Sequence, residues 1–167
     1  MTATGAAAPT FSAIRHDVSA IVSDIRYATM TTVDRLGRPR ARVLIAVWEF
    51  DGADPIGWLG TYPTSVKVTH LANNPHVTLS YWSPRQDVVA LDCVARWADD
   101  DVTCSRVFTM YRNGSPAGVG YEPTQFWRGP DDPQFRVLRL EPWRIQVLRG
   151  RELSAGVPPR SWRRATD

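Results

Sequence analysis

The stretch RARVLIAVWEF at residues 40–50 constrains the fold more than any other part of the chain. Side chains alternate between the two faces of a strand. Arg40, Arg42, Leu44, Ala46 and Trp48 therefore share one face, and Ala41, Val43, Ile45 and Val47 share the other. The second face is wholly apolar and needs a core to cover it. The first opens with two arginines and closes with a tryptophan, which is the pattern of a face that lines something.

The rest of the chain supplies partners for such a strand. Phe11, Ile14, Val18, Ile21, Val22 and Ile25 recur at spacings of three and four, which predicts an amphipathic helix of about 15 residues capped near Thr10 or Ser12. A short β-rich run, YATMTTVD, follows, and DRLGRP (34–39) supplies turn chemistry. Further strands are expected at IGWLGT, at 76–82, at 87–97, near 124–129 and at 135–150. The acidic start of DDDVTCSRVFTMY suits a helix N-terminus. About six strands with short connections, one long helix and two small ones predict a mainly β protein: a six-stranded antiparallel barrel with flanking helices, or failing that a sandwich. Nothing alternates strand and helix as a parallel dinucleotide-binding sheet would.

At 167 residues the chain suits one domain, expected over 11–150. MTATGAAAPT (1–10) has neither the basic region nor the apolar run of a signal peptide and reads as a leader. Residues 151–167 read as a basic, flexible tail. No stretch is long and apolar enough to suggest a membrane span. Two cysteines without close pairing and three scattered histidines exclude a recognisable metal site and suit the cytoplasm. Much of the net charge of +3 falls in the Pro/Gly-broken tail, which is not the folded basic face that nucleic acid needs.

Lys67, in GTYPTSVKVTHLANNP (60–75), is the only lysine beside 19 arginines. The helix expected to open at Thr64–Ser65 and stop at Asn73-Asn74-Pro75 places it in the first turn, where the dipole disfavours a cation by up to about 1 kcal/mol. An anion at that end reverses the sign. Hydroxyls of Thr61, Thr64 and Ser65, free N–H groups and one ammonium together form a phosphate cradle. A lysine also occurs in such a turn with no ligand at all.

The succession RARVLIAVWE, WLGTYPTSVKVTHLANNPHVTLSYW, LDCVARWADD, QFWRG resembles the FMN-binding split-barrel family, the group related to pyridoxamine 5′-phosphate oxidase, over roughly residues 15–148. The resemblance implies a split barrel that forms a homodimer with two flavin sites at the interface. It implies that Arg42, Val43, Leu44 and Ile45 face the isoalloxazine, with Arg42 stabilising negative charge near the reduced ring. Gly60 and Thr61 match the strand end beneath the ring, and Ser65, Val66 and Lys67 match the phosphate triplet. Trp127 matches a tryptophan that reaches the flavin from the neighbouring subunit.

Three departures qualify what the resemblance implies. Val66 replaces the usual arginine of the phosphate triplet, removing one charge-assisted contact. A glutamine heading a strand in the true oxidases is replaced at Val88, or is Gln86 by a one-residue shift. Pro133 and Phe135 stand where an Arg-x-His pair would hold the vitamin substrate, so oxidation of pyridoxamine phosphate is not expected. A flavin-dependent oxidoreductase remains, with FMN as cofactor and no assignable catalytic side chain. The alternatives are a reductase using an 8-hydroxy-5-deazaflavin coenzyme and a non-catalytic flavin-binding module. A heme-binding barrel has little support, because no histidine stands in an evident axial-ligand setting. His70 reads as a helix surface residue.

Overall fold

The computed structural model describes residues 10–165, so the expected leader lies outside the described residues except for Thr10. Helix α1 spans Ser12–Ile25 and buries Ile14, Val18, Ile21 and Val22, the stripe its periodicity marks. Strands β1 (Ala28–Val33) and β2 (Pro39–Leu44) form a hairpin whose turn places Gly37 at a φ of 75°, a conformation only glycine adopts without strain. Then come β3 (Val47–Glu49), β4 (Ile56–Thr61), α2 (Ser65–Asn73), β5 (His76–Trp82), β6 (Val88–Trp97) and α3 (Asp101–Asn113). Asp100 caps α3 through the Thr103 N–H. The chain closes with β7 (Arg136–Leu148), a short helix α4 (Gly150–Ser154) and β8 (Arg160–Arg163).

All eight strands belong to one curled antiparallel sheet in the order β2-β1-β5-β6-β7-β4-β3, with β8 added beside β7. The expected count of six is therefore too low, for two reasons. The stretch 40–50 is not one strand: it breaks at Ile45-Ala46 into β2 and β3, and these lie at opposite edges of the sheet. The segment 151–167, read as a tail, also contributes an unexpected strand. The expected strand at 124–129 is instead a short 3₁₀ turn at Pro123–Gln125.

Two apolar layers result. One fills the inside of the curl beneath α1, with Trp48, Leu59, Leu79, Tyr81, Leu91, Leu138 and Ile145 among its members. The other lies between α3 and the outer face of β3, β4 and β7, and holds Trp58, Val107, Phe108, Tyr111, Trp127 and Phe135. β4 serves both layers by alternation, giving Leu59 to the first and Trp58 to the second. No helix among the described residues is long and apolar enough to cross a membrane.

The C-terminal segment is fastened at two points. Trp162 pairs opposite Ile145, is nearly fully buried, and meets the Phe11 ring at 5.6 Å. Asp17 of α1 binds Arg149 at 2.9 Å and Arg160 at 2.6 Å. Burial opposes the charge on Asp17, but the hydrogen bonds from Arg160 and Arg149 outweigh it and hold the carboxyl below its ordinary range. Trp162→Ala is expected to cost about 3 kcal/mol or more in urea unfolding. A loss within about 0.5 kcal/mol, as at an exposed site, would mean that the segment contributes nothing to the fold.

Candidate functional site

The break at Ile45-Ala46 creates the site. β2 ends and β3 begins on the far edge, so the Ile45 carbonyl and the Gly60 N–H face each other across a gap with no ladder partner between them. The phenol of Tyr111, carried there by α3, bridges them: it donates to Ile45 O at 2.8 Å and accepts from Gly60 N at 3.1 Å. Burial raises this phenol well above its usual range, so it keeps the proton it donates. Gly60 must be glycine here, because a Cβ would lie 2.6 Å from the Phe135 ring.

Over this gap opens a cleft of about 360 Å³ lined by Leu44, Ile45, Leu59, Gly60, Thr61, Tyr62, Tyr121, Phe126 and Trp127, with Tyr27 and Gln125 at its edge. The volume falls within the roughly 300–1,000 Å³ usual for small-molecule sites. Five of the residues singled out from the sequence meet here: Leu44, Ile45, Gly60, Thr61 and Trp127. Trp127 donates Nε1 to Gln134 O at 3.1 Å and packs on Phe135 at 4.9 Å and Tyr62 at 5.2 Å. It thus forms one wall of the cleft.

The other sequence-derived residues fall beside the cleft. Lys67 is buried although it stands in the first turn of α2, and its ammonium is turned back to the Thr61 hydroxyl and, at 3.3 Å, to Tyr62 O. Thr64 holds the capping position but its side chain makes no capping bond. Burial, with the neighbouring Arg42 charge adding to it, lowers the Lys67 pKa to about 8. Arg42 donates Nη2 to Thr32 at 2.9 Å, and its buried Nη1 has no partner. Among the described residues neither cation has a carboxylate partner. Arg42 therefore lies by Lys67 at the helix end and lines a neighbouring groove together with Val66, away from the ring cleft. Val43 alternates to the opposite face of β2, where its side chain is exposed, and Ser65 is exposed at the helix start.

Sequence reasoning missed several contributors, the bridging Tyr111 and the cleft residue Tyr121 among them. Tyr62 and Phe126 line the cleft, and the Tyr62 hydroxyl donates to Phe126 O at 2.8 Å. Their signal was adjacency to Thr61 and Trp127. His70 is buried, not a surface residue, and its Nδ1 lies 2.9 Å from the Thr32 hydroxyl. No local pattern marks it, since its partner is 38 residues away.

A curled antiparallel sheet, split at one corner into a cleft with buried cations at its side, defines a split-barrel protein. The family model described as pyridoxamine 5′-phosphate oxidase matches residues 14–149. The chain belongs to this family. Phe135, which stands where the true oxidases hold substrate, is buried in the second apolar layer.

Solved structures share the fold. A Clostridium acetobutylicum protein related to general stress protein 26 of Bacillus subtilis superposes with a TM-score of 0.70 at 14% identity, covering 90% of this chain and 94% of its own. A heme-binding protein from Mycobacterium smegmatis gives 0.62 at 16% identity, covering 95% of this chain and 60% of its own. The heme storage protein of Vibrio cholerae gives 0.57 at 17%, covering 76% and 88%. No curated protein matches the chain in sequence.

The lowered pKa of Lys67 has a consequence for stability. The folded chain holds that proton less tightly than the unfolded chain, so the lysine costs stability below about pH 8, and the cost fades as pH rises towards 10.5. Lys67→Met is expected to stabilise the ligand-free protein at pH 7 by about 1–2 kcal/mol, after the lost bonds to Thr61 and Tyr62 are set against the relieved burial of charge. The gain should shrink at pH 10. Denaturant unfolding at the two pH values measures both.

Proposed function

We propose that this protein is a flavin-dependent oxidoreductase that binds FMN, with the ring in the cleft over the Tyr111 bridge and the phosphate beside Lys67 and Arg42. One observation carries the reading: two buried or half-buried cations stand together beside an apolar cleft, neither ion-paired to a carboxylate among the described residues, and one guanidinium nitrogen is unpaired. Like charges held together out of water are costly unless an anion joins them. A phosphate dianion satisfies both and also meets the uncapped first turn of α2. Ser65 and Thr61 add hydroxyls, and Val66 in the usual arginine position leaves Arg42 as the second charge.

The rest of the cleft suits an isoalloxazine. Leu44, Ile45 and Leu59 offer apolar contact, while Tyr62, Phe126 and Trp127 supply aromatic faces and exclude water. Backbone groups at the β2 end and at Gly60–Thr61, other than the Gly60 N–H that Tyr111 occupies, can hydrogen-bond the polar ring edge. Bound FMN would supply the hydride or electron transfer itself, so the protein's task is to orient the ring and close off solvent. The deazaflavin coenzyme is the alternative that shares a tricyclic ring and a phosphate, and the same cleft would take it.

The fold family also supports a homodimer as part of this proposal. Tyr27 and Phe126 at the cleft edge and Val43 on the outer face of β2 are exposed apolar side chains. A second copy seated there would cover them and complete two equivalent sites.

Fluorescence titration with FMN, riboflavin and the deazaflavin coenzyme tests the reading. FMN should bind at micromolar concentration or better, and riboflavin, lacking the phosphate, at least tenfold more weakly. Because Lys67 must be protonated to hold phosphate, FMN affinity should fall as pH rises from 7 to 9.5, towards tenfold per unit above about 8, while riboflavin affinity stays level. Equal affinity for FMN and riboflavin at every pH would remove the phosphate site. Failure of FMN beside tight deazaflavin binding would exchange the cofactor. Reduction of bound FMN by nicotinamide coenzymes with turnover of an acceptor separates an enzyme from a carrier.

A further inference from the structure

Alongside the cleft, between the β1–β2 turn and α2, runs a groove of about 540 Å³, of which the flavin reading uses only the end at Arg42. Its walls carry Arg35, Arg38, Arg40 and Arg42 against a single carboxylate, Asp34. Asp34 is fully engaged: it accepts from Arg38 Nε at 2.8 Å and from the N–H groups of Leu36 and Arg38 at 2.9 Å. Arg38, Arg40 and Arg42 alternate along one face of the chain entering and forming β2, so their charges are aligned along the groove. Arg35, Arg40 and Arg42 have no ion-pair partner among the described residues.

His70 gives the groove a second, independent feature. It is about nine-tenths buried, lines the groove from α2, and touches Thr32 only through Nδ1. Thr32 is fully buried and accepts from Arg42, which can only donate. The Thr32 hydrogen has no other acceptor, so it goes to His70 Nδ1, because a buried hydroxyl proton left unpaired costs about 1–3 kcal/mol. The imidazole then carries its proton on Nε2, which has no hydrogen-bond partner among the described residues and is not sealed from solvent. A donor N–H with no acceptor on a buried ring, beside the Arg35 and Arg40 guanidinium groups that have no ion-pair partner among the described residues, is a set of donors without an anion. The same tautomer leaves no free lone pair on His70 to ligate a metal.

We propose that this groove is a second anion subsite, which takes a phosphate or carboxylate group lying beyond the flavin phosphate. Arg42 stands at the junction, with Nη2 spent on Thr32 and Nη1 free; Arg40 and Arg35 extend the charge away from Lys67, and His70 Nε2 supplies a directed N–H from the α2 side. The assignment of which anion is the first one rests on the flavin reading; the groove's preference for anions does not. The cofactor or substrate class is thereby narrowed to molecules with two separated anionic groups: either one ligand spanning both subsites, as a dinucleotide flavin would, or a small anionic substrate beside bound FMN. The groove's volume suits a few phosphate or carboxylate groups.

Calorimetric titration of the full-length protein with inorganic tripolyphosphate, FMN and FAD tests the assignment, using the wild type and the double variant Arg35→Gln/Arg40→Gln. Both substituted residues are exposed, so the fold should tolerate the change. Tripolyphosphate affinity is expected to fall at least tenfold in the variant while FMN affinity changes less than twofold. His70→Phe, which keeps a ring but removes the N–H, should weaken tripolyphosphate by a further measurable factor. Tripolyphosphate binding to FMN-saturated protein assigns the groove to a separate substrate. A gain of FAD over FMN that disappears in the variant assigns it to the cofactor. Equal tripolyphosphate affinity in wild type and variant, or binding of a single-stranded oligonucleotide with none of tripolyphosphate, overturns the proposal. Loss of FMN binding with the tripolyphosphate contrast intact overturns the flavin reading and leaves the groove standing.

Discussion

One phenol holds the architecture open. Where the chain leaves β2 for β3 it must abandon its ladder, and two backbone groups, Ile45 O and Gly60 N, lose their strand partners inside the protein. Buried backbone groups left without hydrogen bonds would cost free energy at both positions. Tyr111 serves both from α3, 66 positions away from Ile45 in sequence. The corner can therefore exist without closing, and the space above it becomes a cleft walled by Tyr62 and Trp127. The second apolar layer, which packs α3 onto the sheet, is what positions the phenol.

The cations beside this cleft work in the opposite sense. Lys67 is buried in a helix turn whose dipole disfavours it and next to an arginine of like charge, so the free protein bears a local cost. Burying charge without its counter-charge is a device for binding: the ligand supplies what the fold omits. On the proposed reading such a site would favour anions, because neutral molecules leave the cost unrelieved. The family's fold alone does not fix the ligand, since the heme-binding proteins from Mycobacterium smegmatis and Vibrio cholerae share it. What distinguishes this chain is the chemistry of Lys67, Arg42 and the residues around them.

Much of this was legible in the sequence, and the failures have physical causes. Helix α1, the β1–β2 turn, α2 with its uncapped start, and strands β5 and β6 follow from periodicity and turn chemistry that act within a few residues. The break at Ile45-Ala46 left no trace, because the apolar alternation of RARVLIAVWEF continues across it and the Tyr111 bridge that permits it is remote. β8 hid behind Pro158, Pro159 and a run of arginines that resemble a solvated tail; its stability comes from Trp162 meeting Phe11 and from Asp17 joining Arg149 and Arg160. His70 was misread because helical spacing reports which residues share a face, not which face meets a buried threonine. For the site, the residues meeting in the cleft came from motif resemblance, whereas Arg42's place beside Lys67 required coordinates.

The strand order carries a consequence for how the protein is made. β7 alone joins the β3–β4 hairpin to the rest of the sheet, and it lies at residues 136–148, some 75 positions after β4. During vectorial synthesis the first hairpin can form early, but β3, β4 and the cleft they border have no sheet to join until those residues emerge. Until then the Trp48, Trp58 and Leu59 surfaces are without their final partners. The nascent chain thus has an interval in which both hairpins exist and the cleft between them does not, and it lasts until residues 136–148 have emerged.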